Sequence, residues 1–535
     1  MILDAILSSD ASDQDTAQVS DQVKRLMQNM EQKEYSFTVG AKGEFGGGWN
    51  YDVSTTYGYD QNKIWTIESA HRAMWIESYT AAQNDSSITP YTPTDAYDGG
   101  FKLSQLTNTL DIRKEFDVGM AEPLTLAFGG EYRRDTYEIV AGDFASTYKE
   151  GVQSFPGYKD VDAGKHSRSS KAGYINLIAS PVEGWTIDLA GRYEDYSDFG
   201  DTTIGKITTR YDFSDAFAIR GTASTGFRAP TLAESFYSTV NVGPTSAVLQ
   251  LPAGSPAAML LGFNALRPEK STNFSAGIVL RPAPKLAITI DGYYIKIKDR
   301  ISATASLPAI QGGLPVAGAE DILAAIASTG LVLDTGLQTL GVASFTNLID
   351  TETYGVDFSA NYVVPLDFGK LNLSLNANYN KTKITHIIDN PPELAALGSD
   401  YVLFDRARRS NMTNNLPRTK LSISNLATMG DFTLSSRLTR FGGFKSYQNG
   451  VTSNGVTTYP NDRSYGAKWI TDLEASWQVT PLVNIAIGAN NIFNVYPDKN
   501  RASDVSATLG QGLYAGTSPI GFTGGFYYGR VGLSF

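Results

Sequence analysis

Cysteine is absent from the 535-residue sequence, and histidine occurs only three times. Without thiols, neither a disulfide framework nor a thiolate metal site is available to this chain. His71, His166 and His386 lie far apart and lack the short spacing of metal ligands, so we expect no metal site and no cofactor. Phosphate-binding glycine loops and the HExxH and GxSxG motifs are also missing, which argues against an enzyme.

Excess basic charge and long apolar runs are absent as well. The formal net charge is −11, which disfavours nucleic acid as a partner. No apolar run approaches the roughly 18 residues of a membrane-spanning helix. Residues 1–7 are apolar but lack a basic flank and are interrupted by Asp4, so they do not resemble a secretion signal. A location in a membrane would therefore require a closed β-barrel, because lipid cannot hydrogen-bond open backbone groups.

Glycine, tyrosine and phenylalanine are plentiful, with 51, 29 and 25 residues, and they accompany an alternating pattern. This composition is typical of many strands joined by tight turns. From Tyr35 onward, apolar and polar residues alternate with period two, which predicts β-strands. In residues 371–380 one face carries Leu371, Leu373, Leu375, Ala377 and Tyr379, and the other carries Asn372, Ser374, Asn376, Asn378 and Asn380. Similar stripes occupy residues 185–193, 217–227 and 483–490.

The lengths of strands and connections distinguish a barrel from a soluble sandwich, which shows the same alternation with its faces reversed. The predicted strands run to about 10–15 residues, enough to cross a tilted bilayer. Connections alternate between tight and long, with one exception at 197–201. We therefore predict an all-β fold, a transmembrane antiparallel β-barrel of about 17 strands with short periplasmic turns and long extracellular loops.

The predicted connections fall into two sets. Tight ones are expected near residues 46–48, 119–123, 181–184, 214–215, 282–284, 365–369, 430 and 481, and long ones at about 60–101, 141–166, 228–268, 302–341, 387–417, 445–466 and 495–523. An odd number of strands is unusual, because single-chain bacterial outer-membrane barrels have an even number. The parity predicts missing strands upstream. We assign residues 1–34 to a polar remnant of an extracellular loop and residues 35–535 to the barrel.

Four segments resemble motifs of the TonB-dependent receptors, a family of energised outer-membrane importers. The family's strand-to-loop motif resembles GFRAPTLAE at 226–234, and the segment that next re-enters the membrane is similar to LRPEKSTN at 266–273. Later family strands resemble TYGVDF at 353–358 and NNIFNVYP at 490–497, and the chain ends in phenylalanine. In this order and at this spacing, the motifs identify a member of the family over residues 35–535.

The resemblance implies a barrel of about 22 strands around an N-terminal plug. In the family, ligand binds the outer loops and the plug, and TonB then pulls on the plug to open a path. No segment of this sequence resembles the plug or the TonB box, and the first strands are expected to be missing too. We therefore expect the last three quarters of a barrel, from a truncated gene or completed by a neighbouring chain. TonB is then a partner only where a plug is supplied upstream.

By the same resemblance, the complete receptor imports a scarce ligand across the outer membrane of a Gram-negative cell, by family default a ferric siderophore. This chain would supply the barrel and outer loops only, with outer-membrane lipid and the barrel-assembly machinery as partners. The Asn-, Ser- and Tyr-rich loops suit a carbohydrate equally. A passive pore or adhesin and a soluble secreted β-protein remain the alternatives.

Candidate site residues follow from the predicted faces and loops. Long outer loops are expected to bind ligand, and the candidates are Trp65, Trp75, Arg228, Tyr237, Tyr401 and Arg406. Most loop aromatics are expected to pack internally, and Arg228 to anchor its loop. Predicted to face the lumen are Asp188, Arg192 and Arg220, while Glu194 and Asp195 are expected to be solvated at a strand end. In the terminal strand, the signal read by the barrel-assembly machinery is matched by Tyr527, Val531, Leu533 and Phe535.

Overall fold

The computed structural model describes most of the chain from Met27 onward. The described residues are 27–149, 151–152, 155, 157–243, 246–331, 337–398, 401–453, 455–501 and 513–534. Phe535 and most of the 1–34 segment therefore lie outside the described residues.

Seventeen long strands form one antiparallel wall in which each strand pairs with the next along the chain. Their bounds are β1 (Met27–Phe45), β2 (Trp49–Ile67), β3 (Ala96–Phe116), β4 (Glu122–Val140), β5 (Gly164–Val182), β6 (Trp185–Tyr196), β7 (Gly200–Ser214), β8 (Phe217–Arg228), β9 (Glu269–Ala283), β10 (Leu286–Ala303), β11 (Thr339–Leu366), β12 (Gly369–Ile387), β13 (Thr419–Met429), β14 (Phe432–Phe441), β15 (Lys468–Thr480), β16 (Val483–Asn490) and β17 (Phe526–Leu533). All the consecutive pairings are antiparallel. Among the described residues, β1 and β17 are not paired with each other, so the wall is open there.

Short elements occur between the long strands. Four short strands bring the sheet to 21 strands, namely Thr239–Gly243, Ser246–Leu251, Leu307–Gln311 and Leu314–Pro315. Two further hairpins pair Phe444–Ser446 with Arg463–Tyr465 and Val451–Ser453 with Val456–Thr458. The helices are α1 (Arg72–Asn84), α2 (Phe144–Thr147), α3 (Leu232–Phe236), α4 (Pro256–Met259), α5 (Glu320–Ser328) and α6 (Arg406–Thr413), with a 3₁₀ helix at Pro392–Leu397. In the described part of the chain, no helix is both long and apolar enough to cross a membrane.

The connections separate into two ends of the wall, as the sequence predicts. At one end, the turn end, eight tight connections occupy 46–48, 117–121, 183–184, 215–216, 284–285, 367–368, 430–431 and 481–482. At the other, the loop end, seven long connections occupy 68–95, 141–163, 229–268, 304–338, 388–418, 442–467 and 491–525. The predicted exception is the short link 197–199. The first turn needs glycine because Gly47 and Gly48 have φ angles of 78° and 83°, which other residues rarely adopt.

The apolar stripes point outward from the wall. Leu373, Ile485 and Leu533 are 39%, 41% and 62% exposed. A soluble sandwich would pack these side chains between two sheets. The all-β, barrel-type fold class is therefore confirmed, with the predicted 17 long strands.

The larger of the two hydrophobic cores found among the described residues lies at the loop end. It joins the connections 229–268, 304–338 and 388–418 and the first part of β11, which we call the cap. Its fully buried side chains include Phe263, Leu307, Ile322, Leu348 and Phe404. The cap is stabilised as a small globular protein is, by removing apolar surface from water.

Strand β1 begins at Met27, inside the segment 1–34 that the sequence assigns to a loop remnant. The extension is polar, and it is paired in register with β2 as far as Ile67. Gln32 donates to Asp60 at 2.8 Å, and Glu31 lies 3.7 Å from Lys63. Alternation of apolar residues does not reveal a strand held this way, because both of its faces carry polar groups.

Candidate functional site

The inner face of β1 to β8 lines an open cavity of about 940 Å³. Because side chains alternate along a strand, every second residue of these strands points into this space. The charged residues that line it are Glu34, Asp60, Glu131, Arg133, Asp135, Arg168, Arg192, Glu194 and Arg228. Nine charged side chains thus line the cavity beside apolar ones such as Leu103 and Phe227, while the opposite face of the same strands is apolar.

Arg192 joins two carboxylates of the cavity wall. Its guanidinium lies 2.6 Å from Glu194 and 3.4 Å from Glu131 on β4. Glu194 also accepts a hydrogen bond from the Tyr196 hydroxyl at 2.7 Å. Glu194 is only 7% exposed, so the expectation that it is solvated at a strand end is wrong. Alternation along β6 places Arg192 and Tyr196, each two residues away, on either side of the carboxylate.

Asp135 is the centre of a second group. It accepts from Arg168 at 3.2 Å and from Gln105 at 2.9 Å, and Arg133 lies 3.7 Å away. Arg168 donates in addition to the carbonyl oxygen of Pro230 at 2.6 Å. This contact ties β5 to the start of the 229–268 connection across the cavity wall.

Arg228, at the end of β8, anchors the same connection. It donates to Glu234 at 2.8 Å and to the buried Glu269 at 2.5 Å. Glu234 closes a capping box with Thr231 at the start of α3. Burial raises the pKa of Glu234, but hydrogen bonds from Arg228 and Thr231 outweigh burial and bring it below 4.5. These contacts fit the anchoring that the sequence predicts, and the side chain also lines the cavity.

The aromatic candidates Trp65, Trp75 and Tyr237 are dispersed. Tyr237 packs beside the cavity, and its hydroxyl lies 3.5 Å from that of Tyr158. Trp75 lies in α1 and stacks on Tyr79 with ring centroids 6.2 Å apart. Trp65 does not lie in a loop as predicted, because strand pairing continues to Ile67 and places it in β2.

Tyr401 and Arg406 lie in and next to the cap. The Tyr401 hydroxyl donates to the carbonyl of Ser306 at 3.2 Å, and burial raises the pKa of Tyr401. Arg406 forms two hydrogen bonds to Asp462, at 2.5 and 2.6 Å, and lies over the rings of two tyrosines, Tyr447 and Tyr459. The six candidates are thus not brought together, and ligand binding by each of them stays a prediction.

The residues predicted to face the lumen share the polar face of the wall. Asp188 accepts from Lys206 at 2.7 Å, and Arg220 forms a two-pronged ion pair with Asp291 at 2.6 and 2.7 Å. Of the three, Arg192 lines the cavity. Arg220 is placed on the same face as Asp188 by pairing through β7.

The terminal strand β17 has the predicted alternation. Tyr527, Val531 and Leu533 are 62%, 66% and 62% exposed, while Tyr528 and Arg530 bond to Glu474 on β15. The fourth residue predicted for the assembly signal, Phe535, lies outside the described residues. An assembly signal here stays a prediction.

Sequence analysis missed the cavity residues Arg133, Asp135 and Arg168. A signal exists in β4, where Glu131, Arg133 and Asp135 alternate with the outward Tyr132 and Arg134. Three charged residues at every second position mark a face that neither lipid nor a dry core would accept. Their partners could not be found, because they come from other strands.

The inner face of the wall offers a polar contact surface. Its arginines and carboxylates are largely neutralised by one another, and no group of three or more potential ligand side chains that could hold a metal occurs among the described residues. Such a face suits a hydrated interior or a polar polypeptide packed against it.

An antiparallel wall with an apolar outer face, an ion-paired inner face and long loops at one end defines a barrel-type membrane protein. The family model described as TonB dependent receptor-like, beta-barrel matches residues 6–492. The chain therefore belongs to the TonB-dependent receptor family, as the motifs indicate.

Solved receptors have the same fold. The siderophore receptor PirA from Acinetobacter baumannii aligns with a TM-score of 0.60 and 16% identity, over 95% of this chain and 63% of that one. A variant of the ferric enterobactin receptor PfeA from Pseudomonas aeruginosa aligns with a TM-score of 0.59 and 14% identity, over 95% of this chain and 62% of that one. The chain thus spans less than two thirds of the length of these two receptors. Comparison with curated protein sequences finds no match.

Proposed function

We propose that this chain forms the wall and outer loops of an outer-membrane receptor that takes up a ferric siderophore with energy from TonB. The observation that carries the proposal is the family membership over residues 6–492. The family consists of transport receptors and not of enzymes, and the similar solved structures include siderophore receptors. TonB would act through a plug packed against the inner face of the wall.

The orientation of the side chains supports a location in the outer membrane. The outward stripes would contact lipid, and the inner face would contact water and a plug. Insertion by the barrel-assembly machinery would follow recognition of β17, whose exposed edge can pair with another strand. The loop end would then face the medium and meet the ligand first.

Iron uptake in a Gram-negative host that lacks its own siderophore receptors tests the proposal. The host expresses the chain together with any plug-encoding sequence next to it, with or without TonB. We expect radioactive iron to accumulate from ferric siderophores only in cells with TonB. Uptake that does not require TonB would contradict the proposal in favour of a passive pore. Uptake of labelled oligosaccharide without iron would point to a carbohydrate receptor instead.

A further inference from the structure

The connections at the loop end carry an excess of acidic side chains. Together, the seven long connections and the link 197–199 contain twenty Asp or Glu and twelve Lys or Arg, a net charge of −8. Because these segments form the rim of the wall, a ligand approaching from that side meets their combined field before any single contact.

The excess is confined to three segments. The connections 68–95, 141–163 and 304–338 hold eleven acidic residues and three basic ones, while the remaining segments balance. Several of the acids are exposed, among them Asp85, Asp95, Asp160, Glu320 and Asp321. Of these segments, 141–163 lies beside the cavity, since its Phe155 and Tyr158 belong to the cluster that contains the cavity-lining Tyr137 and Leu232.

The arginines that could attract an anion already have partners within the protein. Arg406 is paired with Asp462, and Arg408 with Asp405. Arg267 is paired with Asp299. Four more arginines donate to a carbonyl oxygen or an amide side chain, namely Arg409 to Phe404, Arg418 to Asn414, Arg463 to Pro460 and Arg501 to Pro460. Direct hydrogen bonds from these arginines to an anionic ligand would break the existing contacts, which reduces the gain from binding it.

The charged side chains that line the cavity beneath the loops are also paired with one another. Five carboxylates and four guanidiniums line it, and Arg133, Arg168, Arg192 and Arg228 all lie within 4 Å of a carboxylate. Each arginine of the described cavity lining is therefore already paired with a carboxylate.

From these charges we infer that the ligand is a neutral or cationic ferric chelate and not a trianionic one. This inference rests on the proposed function and narrows it. Three singly charged hydroxamates cancel the ferric charge, whereas three doubly charged catecholates leave a trianion. The acidic rim repels the trianion and does not oppose a neutral or ammonium-bearing trishydroxamate.

Calorimetric titration of the full chain in detergent micelles tests the inference with three ferric chelates. They are a neutral trishydroxamate, the same chelate bearing one ammonium group, and a tris-catecholate. We expect the first two to bind at least about tenfold more tightly than the tris-catecholate at low salt. The difference should shrink at high salt, because ions screen exposed charges.

A double variant, Asp95→Asn with Asp160→Asn, removes two exposed charges from the acidic rim. It should strengthen tris-catecholate binding about threefold and leave the neutral chelate unchanged. Its matched control, Glu183→Gln with Asp367→Asn, removes two exposed charges at the turn end and should change nothing.

The outcomes separate the inference from the proposed function. Tris-catecholate binding as tight as that of the neutral chelate would overturn the inference and leave siderophore uptake standing. Failure of all three chelates to bind would overturn the proposed function, and the inference with it.

Discussion

The charged side chains of the wall are held by specific partners, and Arg228 shows what such a contact contributes. It neutralises Glu269, a carboxylate only 7% exposed that also accepts from the backbone N–H of Ile301 at 2.8 Å. A buried carboxylate without a counter-charge is costly, so the contact matters more than a surface ion pair does. Arg228 thereby joins β8, β9 and the 229–268 connection.

Replacing Arg228 by alanine should therefore destabilise the fold. Because Glu269 would be left uncompensated, we expect a loss of about 1–3 kcal/mol in the free energy of unfolding, measured by urea titration in lipid vesicles. The control is Arg113→Ala, whose partner Glu115 is 54% exposed, and it should cost less than about 1 kcal/mol. Equal losses in both variants would contradict the anchoring described here.

Glu234 should make the same connection sensitive to acid. Its pKa lies below 4.5 in the folded protein, so ionised Glu234 stabilises α3. This stabilisation is complete above pH 4.5 and is lost as the pH falls through the lowered pKa. Hydrogen exchange of 229–268 should accelerate over that range. In Glu234→Gln the exchange should already be fast at neutral pH, without this acid-dependent step, and a persisting step would assign it to another group.

At the scale of elements, β11 connects the two environments of the molecule. Its 28 residues begin almost continuously buried, from Leu340 to Ile349, and continue as an amphipathic wall strand. The first part belongs to the cap core and also pairs in parallel with Ser246–Leu251. Because β11 belongs to both, its pairing within the wall fixes where the cap core lies.

Gly355 lies within the wall part of β11, where its neighbours leave no room for a side chain. A Cβ atom there would collide with the backbone oxygen of Tyr379 and with the ring of Tyr293. We expect Gly355→Ala to cost roughly 1–3 kcal/mol, because the close approach of these strands would have to open. Gly191→Ala is the control, since nothing lies within 4 Å of that position. The temperature at which each variant unfolds can be measured by heat-dependent gel mobility. Equal unfolding temperatures for the two variants would contradict the steric explanation.

Polar and apolar side chains are arranged in opposite ways in the wall and in the cap. In the wall, apolar side chains point outward and polar ones inward, whereas the cap buries its apolar side chains in a dry centre. Both arrangements follow from the same preference for removing apolar surface from water, applied in contact with lipid for the wall and with water for the cap.

Charge placed on the outer face should therefore impair insertion. Ile423, in the middle of β13, is 44% exposed, whereas the neighbouring Ser424 lies on the inner face, in a recess that it lines together with Arg437. Near the bilayer midplane, we expect Ile423→Arg to cost about 2–4 kcal/mol, measured as the folded fraction after insertion into vesicles. Ser424→Arg, which keeps its charge in water, should insert normally. Equal insertion of the two variants would contradict a lipid-facing outer surface.

The amino-acid sequence by itself determined the strands, their two faces and the alternation of tight and long connections. These features are local, because a period of two and a glycine turn are imposed on each segment by lipid, water and backbone geometry. Only the tertiary structure decided which polar groups meet, as in the hydrogen bond from Arg168 to the carbonyl oxygen of Pro230, 62 residues away. It also assembled the cap from three separate connections, since such packing depends on strand order and register and not on any local pattern.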